Sequence, residues 1–329
     1  MRKIGMIIVI GLLSFAAGYI WPFRGKSTAP AQQVKALRTG QTNFINPLLE
    51  YEVPRNFFPE LKTLDEDVLA LVHKLEASGT VDEASVYFRS LNNGPWFGVD
   101  EDSDYFPASL LKVPIMMTFF KEAETNPGIL EQKVSYDKSL KDLFGNANNT
   151  EYYKPDRQIE VGHTYTVSEL IERMIIDSDN NAKNLLILQV DDPTKFSRIF
   201  TDFGFATAPE LQSDKDSISV HEYASFYRIL YNASYLTREA SNKALELLSK
   251  SNFHRGISAG VPTSLQVAHK FGERSDTNFK QLHDCGIVYY PKNPYILCVM
   301  TRGKTFENLE KVISEISKNV YEQVDRQLK

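Results

Sequence analysis

The sequence predicts an α+β fold, in which an antiparallel sheet flanked by amino- and carboxy-terminal helices is interrupted by a helical insertion. Three observations lead there. Two β-prone runs flank Asn92-Asn93-Gly94, helical patterns dominate from about 109 to 255, and strand-like runs return after Pro262 before a last amphipathic helix. Local turns join most of the strands, which favours antiparallel pairing.

Ile4 to Phe23 forms 20 residues without a charge, bounded by Arg2, Lys3, Arg24 and Lys26. That is about the length that spans a hydrocarbon core, so residues 1–23 are read as a single-pass signal anchor. A cleaved signal peptide is the rival reading, because Ser14-Phe15-Ala16 and Ala16-Ala17-Gly18 offer small residues to a peptidase. Either way the remainder is exported. Residues 24–56, rich in Gly, Ser, Pro, Gln and Thr, read as a tether, and 57–329 as the folded domain.

Thr63-Leu64-Asp65-Glu66 reads as a capping box opening a helix whose face is Leu64, Val68, Leu71, Val72 and Leu75, with Gly79 as its stop. His73 falls off that stripe and is expected in solvent. Ser85–Leu91 and Trp96–Val99 form a hairpin about Asn-Gly. The clearest helix of the insertion carries Val167, Leu170, Ile171, Met174 and Ile175 behind a Thr166/Glu169 capping box. Strands follow at Leu265–Phe271, Cys285–Tyr290 and Tyr295–Met300, then a helix with Leu309, Val312, Ile313, Ile316, Val320 and Val324 on one face. A hairpin turning about Pro291–Pro294 sets Cys298 opposite Ile287. The only two cysteines, Cys285 and Cys298, are then diagonal and expected as packed thiols.

Charge narrows the function. The first 40 residues hold six basic side chains and no acidic one, leaving 31 basic against 42 acidic residues in the body, a balance of −11. An acidic body repels polyphosphate, so no nucleic-acid partner is expected. Apolar residues are 42% of the chain, enough for a sizeable core. GxxxxGK[ST], GxGxxG and HExxH are absent. His221-Glu222 and His283-Asp284-Cys285 lack metal spacing or a thiol-protease context, and read as packed or surface residues.

What remains is a serine–lysine constellation. In Ser109-Leu110-Leu111-Lys112 the i, i+3 spacing places a hydroxyl and an amine on one helical face, where a desolvated amine can take the serine proton. Such a match occurs by chance in a chain of this size, and Ser135-Tyr136-Asp137-Lys138, in a polar stretch, is set aside. Ser178-Asp179-Asn180 alone is a helix cap, and Lys270-Phe271-Gly272 alone is a strand lysine before a bulge or a close backbone approach. Together and in this order, the three resemble the SxxK, SDN and KTG set of class A β-lactamases and penicillin-binding proteins. Phe106-Pro107-Ala108, Asn184-Leu185-Leu186 and Tyr153-Lys154-Pro155 agree with that family, and the resemblance runs over about residues 60–329.

The resemblance implies a β-lactamase/transpeptidase-like fold and a serine hydrolase without cofactor or metal, acting on a β-lactam or a peptidoglycan-peptide-like amide. Ser109 is then the acylated nucleophile and Lys112 its base. Ser178 relays a proton to the leaving nitrogen with help from the charge of Lys270. Asn180 binds the substrate's side-chain amide, Tyr153 lines the site mouth, and the backbone N–H groups of Ser109 and Glu273 form the oxyanion hole. Two departures stand out. Phe271, before Gly272, replaces a Thr or Ser that helps bind the β-lactam carboxylate. In Ala208-Pro209-Glu210-Leu211-Gln212 an alanine takes the place of the deacylating glutamate. Deacylation is therefore expected to be slow unless Glu210, Asp214 or Asp216 substitutes.

Overall fold

Alternation along five strands decides which side of the sheet meets which helices. In this computed structural model the described residues are 44, 59–92, 94–205 and 217–327. The apolar run 4–23, nearly all of the tether, and the segment with Ala208 and Glu210 lie outside them. Among the described residues no helix is long and apolar enough to cross a membrane.

The strands β1 (Glu83–Ser90), β2 (Trp96–Val99), β7 (Val267–Ser275), β8 (Lys280–Val288) and β9 (Tyr295–Gly303) form one sheet in the order β2-β1-β9-β8-β7. Every pairing is antiparallel. One face, with Val86, Phe88, Leu297 and Val299, packs on helices α1 (Lys62–Ala77) and α9 (Phe306–Gln327). The other, with Tyr87, Ala268, Ile287, Ile296 and Met300, packs on the insertion. Side chains of a strand alternate between faces, so the cover on both sides explains why β1, β8 and β9 are buried along nearly their whole length rather than on alternate residues.

The insertion holds α2 (Lys112–Ala123), α3 (Lys138–Phe144), α4 (Val167–Ile176), α5 (Asn180–Leu188), α6 (Thr194–Asp202), α7 (Val220–Asn232) and α8 (Arg238–Leu248). It is not purely helical. One short antiparallel pair lies within it, β4 (Lys133–Tyr136) with β5 (His163–Thr166), and another ties it to the chain just before it, β3 (Asp104–Tyr105) with β6 (Ile218–Ser219). The Thr166/Glu169 capping box opens α4 as expected. His73 is exposed, and Ser135 is an exposed strand residue bonded to Thr164. Phe44, in the segment read as a tether, is buried against Tyr289, whose hydroxyl donates to its carbonyl at 2.9 Å.

Two expectations are corrected. The capping box at Thr63 does not form. A 3₁₀ turn, Pro59–Leu61, feeds the chain straight into α1 at Lys62, so Thr63 already lies within the first helical turn. The cysteines are not packed thiols either: Cys285 and Cys298 are directly opposed, with Cα atoms 4.0 Å apart, and form a disulfide. The β8–β9 ladder begins at Val288 opposite Tyr295, not at Tyr290. Tyr289 donates its N–H to Gln266, Tyr290 closes a tight turn onto Val288, and the Tyr290 hydroxyl reaches Asp325 on α9 at 2.8 Å. These bonds take both tyrosines out of the ladder and shift the register by two. In the unfolded, unreduced protein no thiol should titrate, and replacing both cysteines by alanine should lower unfolding free energy by about 2–4 kcal/mol in urea melts. Two free thiols, or unchanged stability, would contradict the pairing.

Candidate active site

The chain enters the site through a clamp. The backbone N–H of Phe106 donates to Gln281 Oε1 at 3.1 Å, and its carbonyl accepts from His283 Nε2 at 3.1 Å. Both partners are on β8. His283 Nδ1 accepts from the Thr301 N–H at 3.2 Å, and burial drives its pKa down to about 3, so it is a neutral donor at Nε2. Beyond the clamp, Ala108 takes a left-handed φ of 49°, a region non-glycine residues rarely occupy. Ala108–Leu111 then forms a 3₁₀ turn that runs into α2. In a 3₁₀ turn residues i and i+3 eclipse, which puts Lys112 behind Ser109 more directly than an α-helical turn would. Tyr223 on α7 donates to the Leu110 carbonyl at 2.8 Å and supports the turn from the far side.

Gly272 is required by closeness. A Cβ there would lie 2.9 Å from the Pro107 carbonyl oxygen and 3.1 Å from Leu110 Cγ. The edge strand β7 thus lies against the Ser109 turn, a close backbone approach rather than a bulge.

The second motif closes the site. Asp179 caps α5 through the N–H groups of Asn181 and Ala182, and its buried carboxylate also accepts from Ile159 N at 2.7 Å and Asn148 Nδ2 at 2.8 Å. Asn148 Oδ1 in turn accepts the Asn180 N–H at 2.6 Å. Ser178, with φ 56°, presents its hydroxyl to two amines. Lys112 Nζ lies 3.0 Å and Lys270 Nζ 3.0 Å from Ser178 Oγ. Lys112 also donates to the Ser178 carbonyl at 2.7 Å and to Asn180 Oδ1 at 2.7 Å.

Among the described residues no carboxylate is hydrogen-bonded or ion-paired to either lysine, and both are fully buried. Burial, with the charges of Lys270 and Lys183 adding to it, holds Lys112 well below the ordinary lysine range. Burial likewise brings Lys270 down to about 7. An amine whose hold on its proton is weakened by burial, and which is bonded into a hydroxyl network, can exchange protons with it.

Ser109, Lys112, Tyr153, Ser178, Asn180, Phe271 and Glu273 line one cleft of about 780 Å³. Lys270 reaches Ser178 from behind it, and Gly272 supports the wall. The ring of Tyr153 is buried rather than at the mouth, edge-on to Phe271 with centroids 4.7 Å apart. Glu210 lies outside the described residues. Reading the sequence for chemistry missed His283, Gln281, Tyr223 and Asn148, all of which act through backbone groups. It also missed Lys183, which lines the cleft one turn beyond Asn180.

Buried lysines cost stability with a definite pH dependence. Lys270 is protonated in the unfolded chain up to about 10.5, and in the folded chain only up to about 7. The unfolded state therefore binds more protons between those values. The cost is complete at pH 7 and below and fades as pH rises towards 10.5. Lys270→Met should accordingly raise the melting temperature most at or below pH 7, with the gain shrinking above it. A gain independent of pH would contradict this picture.

A protein-family model described as "Beta-lactamase enzyme family" matches residues 63–324. Beta-lactamase CTX-M-25 of Escherichia coli is 28% identical over 183 residues, which are 52% of this chain and 60% of that protein. The chain thus spans less than two thirds of that relative's length. A point mutant of PBP-A in an acyl-enzyme complex with penicillin G superposes with a TM-score of 0.68 at 21% identity, over 82% of this chain and 100% of that one. A β-lactamase from Xanthomonas campestris gives a TM-score of 0.66 at 18% identity, over 79% of this chain and 98% of that one. These structural likenesses establish the fold, and the family match over most of the body goes further: the chain belongs to the beta-lactamase enzyme family, as the three motifs with their class A resemblance implied.

Proposed function

We propose that the protein is an exported serine hydrolase that forms an acyl-enzyme at Ser109 with a β-lactam or cell-wall peptide amide and releases it slowly. The observation that carries this reading is the sharing of Ser178 Oγ by Lys112 and Lys270, both at 3.0 Å, in the cleft that Ser109 lines. Lys112, whose burial weakens its hold on a proton, takes the Ser109 proton as Oγ bonds to the carbonyl carbon. The oxygen then turns negative against the N–H groups of Ser109 and Glu273. When the C–N bond breaks, Ser178 gives its proton to the nitrogen and is reprotonated by Lys112, so the proton count closes. Charged Lys270 favours the Ser178 alkoxide character in that step. Asn180 holds the substrate amide with the Nδ2 proton not committed to the Ala147 carbonyl.

Deacylation is where this chain departs from the family. With Ala208 in the place of the glutamate, release should be about 10²–10⁴-fold slower than with a positioned base, unless Glu210 acts. A lasting adduct makes the protein a penicillin-binding, D,D-peptidase-like enzyme rather than an efficient lactamase. Export is supported by the apolar run 4–23 and by the Cys285–Cys298 disulfide, a bond at home in oxidising compartments. The anchor reading places the catalytic domain on the outer side of the cytoplasmic membrane.

Incubation with β-lactams, as free acids and as carboxyl esters, should add the mass of the intact lactam to the wild type and not to Ser109→Ala. The adduct should persist for many minutes. Rapid turnover would mean that another base replaces the missing glutamate, and absence of any adduct or peptidase activity would leave a non-catalytic wall- or protein-binding module. Because Lys270 is effective when charged, acylation should fall above about pH 7, and Lys270→Arg should move that limb upward. An unmoved limb would remove Lys270 from the step.

A further inference from the structure

The β7 side of the cleft is occupied in a way that bears on the leaving group. Lys270 has three N–H donors, and the structure gives partners for two of them. One goes to Ser178 Oγ at 3.0 Å and one to the Phe271 carbonyl at 3.0 Å, while the ammonium sits 4.0 Å from the centroid of the Phe271 ring. That ring is itself held, stacked on Phe253 at 4.0 Å and edge-on to Tyr153, with only 2% of Phe271 exposed. Phe271 has no side-chain donor to offer an incoming anion, and Lys270 is fully buried behind it.

Next along the strand, the Glu273 carboxylate is locked in place. Its Oε1 accepts from Tyr153 N and its Oε2 from Tyr152 N, each at 3.1 Å. Each carboxylate oxygen retains a second lone-pair direction, and Glu273 lines the cleft. The neighbouring Arg274 is engaged, 3.9 Å over the Phe106 ring and 3.7 Å from Asp276. A substrate carboxylate beside Glu273 would therefore meet a fixed like charge, with Lys270 buried out of reach, whereas an N–H group would find an acceptor.

We infer that Glu273 and Phe271 set the leaving-group specificity: this side of the cleft takes an amide or ammonium group, donating to Glu273, and turns away a carboxylate. The inference rests on acyl transfer at Ser109 and names the substrate class for that same site. The substrate is then an acyl amide or ester whose leaving group ends in a neutral or cationic function.

The test uses the full-length protein and thioesters of one acyl group, with leaving thiols ending in a carboxylate, a carboxamide or an ammonium group. Wild-type kcat/KM, read as thiol release, should favour the ammonium and carboxamide thiols over the carboxylate by roughly tenfold or more, as a like-charge juxtaposition demands. Glu273→Gln should narrow the ammonium-to-carboxylate ratio, and Phe271→Thr should raise the carboxylate thioester selectively. Equal or better use of the carboxylate thioester by the wild type would overturn the inference. If Arg274→Ala then abolished that use, carboxylate recognition would belong to Arg274. If Ser109→Ala left thiol release from all three unchanged, acyl transfer at Ser109 would fall, and the specificity with it.

Discussion

Two buried amines share one hydroxyl, and much of the structure exists to keep them there. Lys112 and Lys270 each stand 3.0 Å from Ser178 Oγ, with no carboxylate bonded to either among the described residues. An exposed arrangement of this kind would be solvated and both lysines fully charged; burial is what makes Lys112 a base. The unfavourable burial has to be offset elsewhere. The two apolar clusters on either side of the sheet are where that stabilisation resides. Left-handed backbone at Ala108 and Ser178 adds local strain beside the nucleophile and at the shared hydroxyl. The clamp on Phe106 and the four bonds on Asp179 hold both segments in place.

Charge in the cleft follows from the same constraint. Lys112 and Lys183 belong to the helical wall, whereas Glu273 stands on the strand wall with its carboxylate fixed by two backbone amides. The body as a whole is acidic, yet the ground immediately behind Ser178 is cationic. The sign therefore changes within one cleft, and a substrate would be oriented by that gradient as well as by shape.

The parts legible in the sequence were those governed by local periodicity or by residues that act through their own side chains. The α4 and α9 faces, the Asn-Gly hairpin and the three motifs are of that kind. The failures have distinct causes. Thr63 looked like a cap because the composition was right, but the preceding 3₁₀ turn had already begun the helix. The cysteine register depended on where Tyr289 and Tyr290 send their bonds, to Gln266, Val288 and α9, which no window around the turn contains. His283 carried no signal, since a buried strand histidine looks the same whether it fills space or holds the backbone of a residue 177 positions away. Support for a site is non-local by nature, and short motifs do not encode it.

The disulfide bears on the position of Lys270. Lys270 pairs with Cys285, Cys285 with Cys298, and Cys298 with Tyr87, so the bridge lies in the same row of the sheet as the buried lysine. Strand β7 is an edge strand, held by hydrogen bonds on one side only, while its other side faces the Ser109 turn. A buried amine on such a strand would draw water inward if the strand could move away from the sheet. The nine-residue ladder from Val267 to Ser275 resists that from one side, and the covalent link between β8 and β9 keeps the partner strand itself from shifting. The placement of Lys270 at hydrogen-bond distance from Ser178 is thus a property of three strands, not of the motif that carries it.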